Sequence, residues 1–255
     1  MGRVASPGIL KEDGGFDVVG ASPIRYNGVT VGGDESVVPR ELAAAELKEY
    51  VELYTKAAKN AVEAGFDGVE VHAANGYLLD QFLQSVSNNR TDEYGGSIQN
   101  RLRFPLEVID AVVKAVGAER TGVRLSPWSD FQGENEIRLV HPRFRQLKLF
   151  FFSVDMGMKD PLPTFTAFVE RIRDSHPNFA YIHVIEDRAN DASDALRKIW
   201  GNRPYIAAGG FDRTSAISTV EKHGGLIAFG RHFIANVSFI IIIILQLETN
   251  LTITV

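Results

Sequence analysis

A histidine, an amide and a phenol stand close together in the stretch VEVHAANGYLLDQF, residues 69–82. His72 ends a strand-like apolar run, and Asn75 and Tyr77 follow before a helix-like pattern begins. A neutral imidazole N–H and an amide NH2 can donate to one oxygen atom together, which polarises a carbonyl group as an oxyanion hole does. A tyrosine phenol is protonated at neutral pH and can act as an acid. These side chains suit the reduction or enolisation of a carbonyl compound, although a lone histidine at a strand end is also commonly structural.

An arginine interrupts a second apolar run. Arg124 lies in the middle of GVRLS, residues 122–126. Because a buried arginine needs an anionic or hydrogen-bonding partner, this side chain indicates either an internal salt bridge or a bound ligand. The pattern alone leaves both interpretations open.

Glycines end two further apolar runs nearer the C-terminus. The first run ends in AAGG, with Gly209 and Gly210, and the second ends in FGR, with Gly230 and Arg231. Glycines allow backbone N–H groups to approach a phosphate closely, and an arginine adds positive charge. Plain tight turns are the alternative. The two signals in adjacent units together favour a phosphate site, which barrels commonly hold after their last two strands.

Helical and strand patterns alternate along the chain and must position these side chains. Apolar residues at helical spacing predict helices at 45–65, 97–117, 163–175, 193–201 and 213–225. Short apolar runs between them predict strands at 68–72, 122–126, 181–185, 205–210 and 226–230. This alternation predicts a parallel sheet, either doubly wound or closed as a barrel. No strand leads into a G-x-G-x-x-G helix start, which argues against a dinucleotide-binding Rossmann fold.

The alternation also predicts where the candidate residues meet. In parallel α/β folds, ligands bind at the carboxyl ends of the strands. His72 and Arg124 lie at or near such ends, and Asn75 and Tyr77 follow one of them. We therefore predict that these side chains converge at one end of the sheet.

The composition limits the classes of function. The chain has 255 residues, of which 45% are apolar and 23% charged, and a formal net charge of -5. This composition is typical of a globular protein and provides no basic surface for nucleic acid. The chain contains no cysteine, which excludes disulfides, thiolate zinc sites, iron–sulfur clusters and cysteine nucleophiles, and no metal site is predicted. No secretion signal opens the sequence, so a soluble cytoplasmic protein is expected.

Two segments differ in composition from the rest of the chain. Residues 134–155 interrupt a strand-to-helix connection without clear turn signals or sustained periodicity. Residues 237–255 form an isoleucine-rich tail whose apolar part is too short to span a bilayer, so no membrane association is predicted. The tail is rich in β-branched residues and nearly uncharged, a composition that favours aggregation.

These motifs resemble the Old Yellow Enzyme family of flavin-dependent ene-reductases. The stretch GFDGVEVHAANGYLLDQFLQSVSNNRTDEYGGSIQNRLRFPLEVIDAV is close to a family signature, and GVRLSPW, HVIE, AAGGF and AFGRHFIAN follow in the family's order and spacing. The resemblance covers residues 1–133 and 156–236. It implies an α/β fold, a (β/α)8 TIM barrel with FMN across its C-terminal mouth, of which this chain retains about five strands, the family's fourth to eighth. Residues 1–236 would form a single incomplete barrel domain, with 134–155 as an insertion and 237–255 as an aberrant hydrophobic tail.

The resemblance also implies a role for each candidate residue. His72 and Asn75 would hold the substrate carbonyl oxygen, and Tyr77 would deliver a proton. Arg124 would contact the pyrimidine edge of the flavin, where negative charge accumulates on reduction. The remaining implied contacts are to the FMN phosphate, from Gly209, Gly210, Gly230 and Arg231, and to the substrate, from Phe131.

The reaction that the resemblance implies has two halves. NAD(P)H first reduces FMN and leaves as the oxidised nucleotide. Hydride then passes from the reduced flavin to the β-carbon of an α,β-unsaturated carbonyl compound, while Tyr77 protonates the α-carbon. The His72–Asn75 pair would stabilise the developing enolate, and each such donor can contribute about 3–4 kcal/mol.

The chain also departs from the family pattern. The first three barrel strands, which carry further flavin contacts, are not found, and the isoleucine-rich tail replaces the family C-terminus. Because a barrel needs all its strands to close, one hypothesis is a working ene-reductase completed by homo-oligomerisation. A second is a non-catalytic, incomplete or mis-spliced remnant unable to hold FMN. A different α/β oxidoreductase is a third, and it requires the His72 motif to be coincidental.

For the two atypical segments we predict translated non-coding sequence, such as retained introns. Residues 134–155 separate two halves of a continuous motif, because DFQG joins MGMKDPLPTF when they are removed. Residues 237–255 begin abruptly after FIAN. Neither segment has the agreement between pattern and turn chemistry that natural sequences show. The alternative is a family-specific surface loop and tail.

Overall fold

The computed structural model describes residues 1–30, 32–128, 156–186 and 193–235. Its strands are β1 (Val19–Gly20), β2 (Arg40–Glu41), β3 (Val69–Ala73), β4 (Thr121–Leu125), β5 (Tyr181–Ile185), β6 (Tyr205–Ala208) and β7 (Leu226–Ile227). Its α-helices are α1 (Pro7–Glu12), α2 (Ala44–Glu63), α3 (Leu78–Leu83), α4 (Ile98–Val116), α5 (Leu162–Ser175), α6 (Asp194–Trp200), α7 (Arg213–His223) and α8 (Arg231–Ala235). Single 3-10 turns lie at Gly2–Val4 and Ala118–Arg120.

Strands β3 to β7 form a five-stranded parallel sheet in the order β3-β4-β5-β6-β7. Neighbouring strands are consecutive in the sequence with helices between them, so the predicted α/β architecture is confirmed. The predicted strands at 205–210 and 226–230 are shorter than expected and end at Ala208 and Ile227. Strand β6 ends because the next two residues, Gly209 and Gly210, have φ values of 130° and 72° and leave the extended conformation.

Helix α4 illustrates how local signals set the elements. Ser97 caps its N-terminus, where its side chain accepts a hydrogen bond from the backbone N–H of Asn100 at 3.2 Å. Val108 and Ile109 on its apolar face are fully buried in the core between the helices and the sheet. Gly117, with a φ of 99°, ends the helix. The same start and stop signals predicted this helix within one residue at each end.

The two faces of the five-stranded sheet have different compositions. One face is apolar and fully or nearly fully buried, and it carries Val71, Ala73, Val123, Leu125, Ile182 and Val184. The opposite face, which we call the polar face, carries partly exposed side chains, namely Glu70, His72, Arg124, Tyr181 and His183. Alternation of side chains along each strand produces this division. The sheet therefore presents a polar surface on the side that faces away from the hydrophobic core.

The N-terminal segment, which precedes α2, packs beside the sheet. The sequence patterns predict no helix or strand in it. Strands β1 and β2 pair in parallel, and a buried arginine joins them to the loop after α3. Arg90 Nη1 donates to the carbonyl oxygens of Ala21 at 3.0 Å and Leu42 at 2.7 Å. In the part of the chain that the structure describes, no helix combines the length and apolarity needed to cross a membrane.

Candidate active site at the carboxyl ends of β3 and β4

His72 and Arg124 are neighbours on adjacent strands, one residue before the ends of β3 and β4. They are register partners, so their side chains stand side by side on the polar face. The turn after β3 carries Asn75 and Tyr77, and the Tyr77 ring centroid lies 5.1 Å from that of His72 at a tilt of 45°. The backbone N–H of Asn75 donates to Ser126 just beyond β4. The structure thus brings these four residues together at one end of the sheet, as the sequence predicted.

The environment of His72 favours the neutral imidazole. Burial lowers the pKa of His72 below its usual value of 6.5, and the positive charge of Arg124 lowers it further. At neutral pH the ring is therefore uncharged and has one N–H available as a hydrogen-bond donor. A neutral donor of this kind suits hydrogen bonding to a carbonyl oxygen.

Arg124 brings an unsatisfied hydrogen-bond donor to the site. Its Nε atom is buried and makes no hydrogen bond within the described ranges. The same ranges contain no ion pair within 4.0 Å of Arg124, so the internal salt bridge is not formed there. The charges of Glu70 and Arg124 interact only at longer range. A buried donor without a partner costs free energy. An acceptor on the edge of a planar cofactor such as flavin would give this atom a partner.

The glycines after β6 and β7 leave the backbone accessible. At Gly210 and Gly230, an added Cβ atom would meet no other atom of the described residues within 4 Å. At Gly209, an added Cβ would lie 2.9 Å from the Glu186 carbonyl oxygen, so a side chain does not fit. This combination of a tight turn and open backbone fits the approach of a phosphate group.

The side chains of two predicted site residues lie outside the part of the chain that the structure describes. Helix α8 begins at Arg231, whose side chain lies outside the part that the structure describes. Phe131 lies in the range 129–155, which is also outside the described residues. Their roles remain predictions from the family resemblance.

Sequence reasoning missed a second polar group on the same face. Glu70 Oε2 and His183 Nδ1 are hydrogen-bonded at 2.9 Å. The Tyr181 hydroxyl also bonds to Glu70, and its ring covers Gly122, where an added Cβ would lie 2.4 Å from a ring carbon. Burial, followed by the negative charge of Glu70, raises the pKa of Tyr181 to about 12. The sequence signal for this group was the polar side chain at every second position, Glu70 and His72 in VEVHA and Tyr181 and His183 in YIHVI.

Comparison with known proteins matches this chain to one family. The sequence profile of the NADH:flavin oxidoreductase / NADH oxidase family matches residues 6–250. Chanoclavine-I aldehyde reductase of Penicillium roqueforti is 41% identical over 249 residues, which are 92% of this chain and 59% of that protein. A probable inactive reductase of Epichloe festucae var. lolii is 39% identical over 255 residues, again 92% of this chain and 59% of that protein.

A solved structure supports the same relationship. An old yellow enzyme homologue from Zymomonas mobilis superposes with a TM-score of 0.79 at 27% sequence identity, covering 100% of this chain and 67% of that one. The chain spans about three fifths of the length of the curated relatives that it matches.

Proposed function

Because the chain belongs to the NADH:flavin oxidoreductase family, the family of the Old Yellow Enzymes, we propose that it acts in an FMN-dependent ene-reductase. Its five parallel strands correspond to part of the (β/α)8 barrel that its solved relatives form. The proposed reaction moves hydride from NAD(P)H through the flavin to the C=C bond of an α,β-unsaturated carbonyl compound. Relatives that are named as reductases, one of them an aldehyde reductase, support a carbonyl-containing substrate.

The residues of the site fit an FMN group. The buried Nε of Arg124, which has no partner among the described residues, would donate to the pyrimidine edge of the flavin. The backbone N–H groups at Gly210 and Gly230 would donate to the phosphate oxygens, since the described residues leave space beside both glycines. When bound, FMN would accept hydride from the nicotinamide and pass it to the substrate.

The residues around His72 would act on the substrate carbonyl. The neutral imidazole and the Asn75 amide would both donate to the carbonyl oxygen, which makes the β-carbon more electrophilic. The developing enolate charge would be stabilised by these donors and by nearby Arg124. The Tyr77 hydroxyl would give its proton to the α-carbon.

One observation carries this proposal. His72 and Arg124 are register partners at the carboxyl ends of adjacent parallel strands, and the Tyr77 ring stands 5.1 Å from His72. A donor for the carbonyl, an acid and a donor for the cofactor edge are therefore side by side where barrel enzymes hold their active sites.

A non-catalytic, incomplete relative of these enzymes is the second candidate. The described sheet is not closed, since β3 and β7 are its edges. A relative at 39% identity is named a probable inactive reductase. Under this alternative the chain would not retain FMN.

Flavin binding by the purified full chain separates the two candidates. After incubation with FMN and removal of free flavin, we expect a yellow protein that oxidises NADH or NADPH in the presence of 2-cyclohexenone. With oxygen removed from the assay, so that the ketone is the only oxidant of the reduced flavin, the saturated cyclohexanone should support no such oxidation. A colourless chain that reduces no enone would contradict the proposal and favour the incomplete relative.

Two arginines of the same region provide a matched pair of variants. Arg124→Met should weaken FMN binding by roughly tenfold or more, because a hydrogen bond from a charged donor is lost. Arg120→Met is the control, since Arg120 is exposed and lies before the opposite end of β4. Equal affinity of both variants for FMN would remove Arg124 from the proposed cofactor site.

A further inference from the structure

The turn between β3 and α3 has a backbone conformation that needs support. Asn75 has a φ of 56° and Gly76 a φ of 71°, so two consecutive residues are in the left-handed region. Asn75 is the only non-glycine residue with a positive φ in the described part of the chain. This conformation is less favourable than a negative φ for a residue with a side chain, although asparagine adopts it more readily than most. It also sets the directions in which Asn75 and Tyr77 leave the turn.

Two consecutive amides of this turn converge on one buried carboxylate. The N–H of Gly76 donates directly to Asp80 Oδ2 at 2.9 Å. The N–H of Asn75 donates to Ser126 Oγ at 2.6 Å, and the Ser126 hydroxyl donates to the same Asp80 oxygen at 3.3 Å. Asp80 is 0% and Ser126 1% exposed, so these hydrogen bonds are shielded from solvent.

The neighbouring polar atoms are also paired. Asp80 Oδ1 accepts a hydrogen bond from the Gln84 amide at 2.9 Å. The carbonyl oxygen of Gly76 accepts one from the Gln81 amide at 2.7 Å. Helix α3 thus supplies side chains for both backbone polar groups of Gly76. Because Ser126 follows β4, this network also links the ends of the two strands that carry the candidate site.

We propose that Asp80 and Ser126 are positioning residues that orient Asn75 and Tyr77 toward the substrate carbonyl, an inference that rests on the proposed function. Both side chains are buried behind the turn, and they act through the backbone of Asn75 and Gly76. Without them, Asn75 is free to relax to an ordinary negative φ. Its amide then leaves the oxygen site that it shares with His72.

Hydrogen–deuterium exchange of the full chain tests the positioning directly. Ser126→Ala removes the bridging hydroxyl, and Asp80→Asn removes one of the two acceptor oxygens. In both variants we expect the amides of residues 75–76 to exchange at least about tenfold faster, while α4 stays protected. Ser22→Ala is the matched control, because Ser22 is also 1% exposed and its hydroxyl oxygen accepts a hydrogen bond from the Asn89 N–H, which is not part of the turn. Unchanged exchange at 75–76 in both variants would overturn the proposal.

The two half-reactions then test whether the oriented groups serve the substrate. Ser126→Ala should slow reoxidation of the reduced enzyme by 2-cyclohexenone about tenfold or more and raise its KM, because misplacement of reacting groups is costly. Reduction by NADPH should stay within about twofold of the wild type. Equal slowing of both half-reactions would mean a general structural role and would overturn the proposal. If the wild-type chain reduces no enone, the proposed function fails, and the exchange experiment alone decides the positioning.

Discussion

Single residues of the polar face divide into neutral donors and charged groups. His72 is held neutral by burial and by Arg124. Burial alone would raise the pKa of Glu70, but the interactions with His183, Tyr181 and Arg124 together hold that pKa below its usual value. The anionic Glu70 lies one layer further from the strand ends than His72 and Arg124. The site therefore combines the neutral His72 with the charged Arg124, and the anionic Glu70 lies behind them.

The phenol of Tyr77 provides the first prediction at this scale. Tyr77→Phe should slow enone reduction by about 10²–10⁴-fold, the usual contribution of a general acid, and leave flavin reduction by NAD(P)H unchanged. Stopped-flow measurement of the two half-reactions checks this. Tyr54→Phe is the control, since Tyr54 lies on α2 and packs against the core. Equal losses in both half-reactions would mean that Tyr77 supports the flavin site instead.

The carboxyl of Asp80 provides a prediction on pH. Burial raises its pKa from 3.8 to about 6, against the opposing hydrogen bonds of Gln84, Gly76 and Ser126. Because the folded state binds this proton more tightly than the unfolded state, the contribution of Asp80 to stability is greatest below pH 4. It is lost as the pH rises through about 6, by about 3 kcal/mol at most.

Asp80→Asn removes this titration. The free energy of unfolding of the wild type, relative to that of the variant, should therefore fall between about pH 4 and pH 7. Urea unfolding at a series of pH values measures this difference. Parallel pH profiles for the two proteins would contradict the assignment.

At the scale of elements, a buried arginine in the loop after α3 holds the N-terminal segment. The Arg90 side chain is 2% exposed and donates to carbonyls next to β1 and β2. It also pairs with Asp92 at 2.5 Å. These contacts connect β1 and β2 to the loop between α3 and α4.

Loss of this arginine should loosen the N-terminal segment. Arg90→Ala leaves the Ala21 and Leu42 carbonyls without their buried donor, and we expect it to cost about 2–4 kcal/mol of stability. Arg103→Ala should cost less than about 0.5 kcal/mol, because the Arg103 side chain is 41% exposed in a surface pair. Urea unfolding followed by tryptophan fluorescence measures both. Equal effects of the two substitutions would show that Arg90 is not the connection.

At the scale of the whole molecule, the chain rejoins its core directly after residues 134–155. Met156 and Met158 are each 8% exposed. Met158 packs in the main core, and its sulfur accepts a hydrogen bond from the Ser85 N–H at 3.4 Å. The segments 134–155 and 237–255 lie outside the described residues, so their assignment as translated non-coding sequence stays a prediction.

Deletion of residues 134–155 tests that assignment. Joining Gly133 to Met156 should change the free energy of unfolding by less than about 1 kcal/mol, since loop closure depends only weakly on loop length. Met158→Ala, just beyond the segment, should cost about 2–5 kcal/mol because it leaves a cavity in the core. Thermal unfolding of the two variants makes the comparison. A large loss of stability in the deletion variant would identify 134–155 as evolved structure, as would transcripts that never lack it.

The sequence by itself determined the order of the elements and the primary motif. Alternating helical and strand patterns are local, so α4 and the positions of the five parallel strands were predicted, although β6 and β7 end earlier than expected. His72, Asn75 and Tyr77 are near each other in the chain, and one turn suffices to bring them together. Arg124 could be assigned to the same site from the sequence, because parallel strands end at the same edge of a sheet.

Only the tertiary structure decided how distant segments pair across the sheet. The Glu70–His183 bond joins β3 to β5 over Gly122, and the Asp80–Ser126 bond joins α3 to the end of β4. Both bonds depend on strand register and on which face each side chain occupies. The spacing of residues within one segment predicts neither the register nor the face. For the same reason, the sequence left open whether Arg124 forms an internal salt bridge. The fold leaves its Nε buried without a partner among the described residues, and the Glu70 carboxylate on the same face of the sheet is bonded to His183.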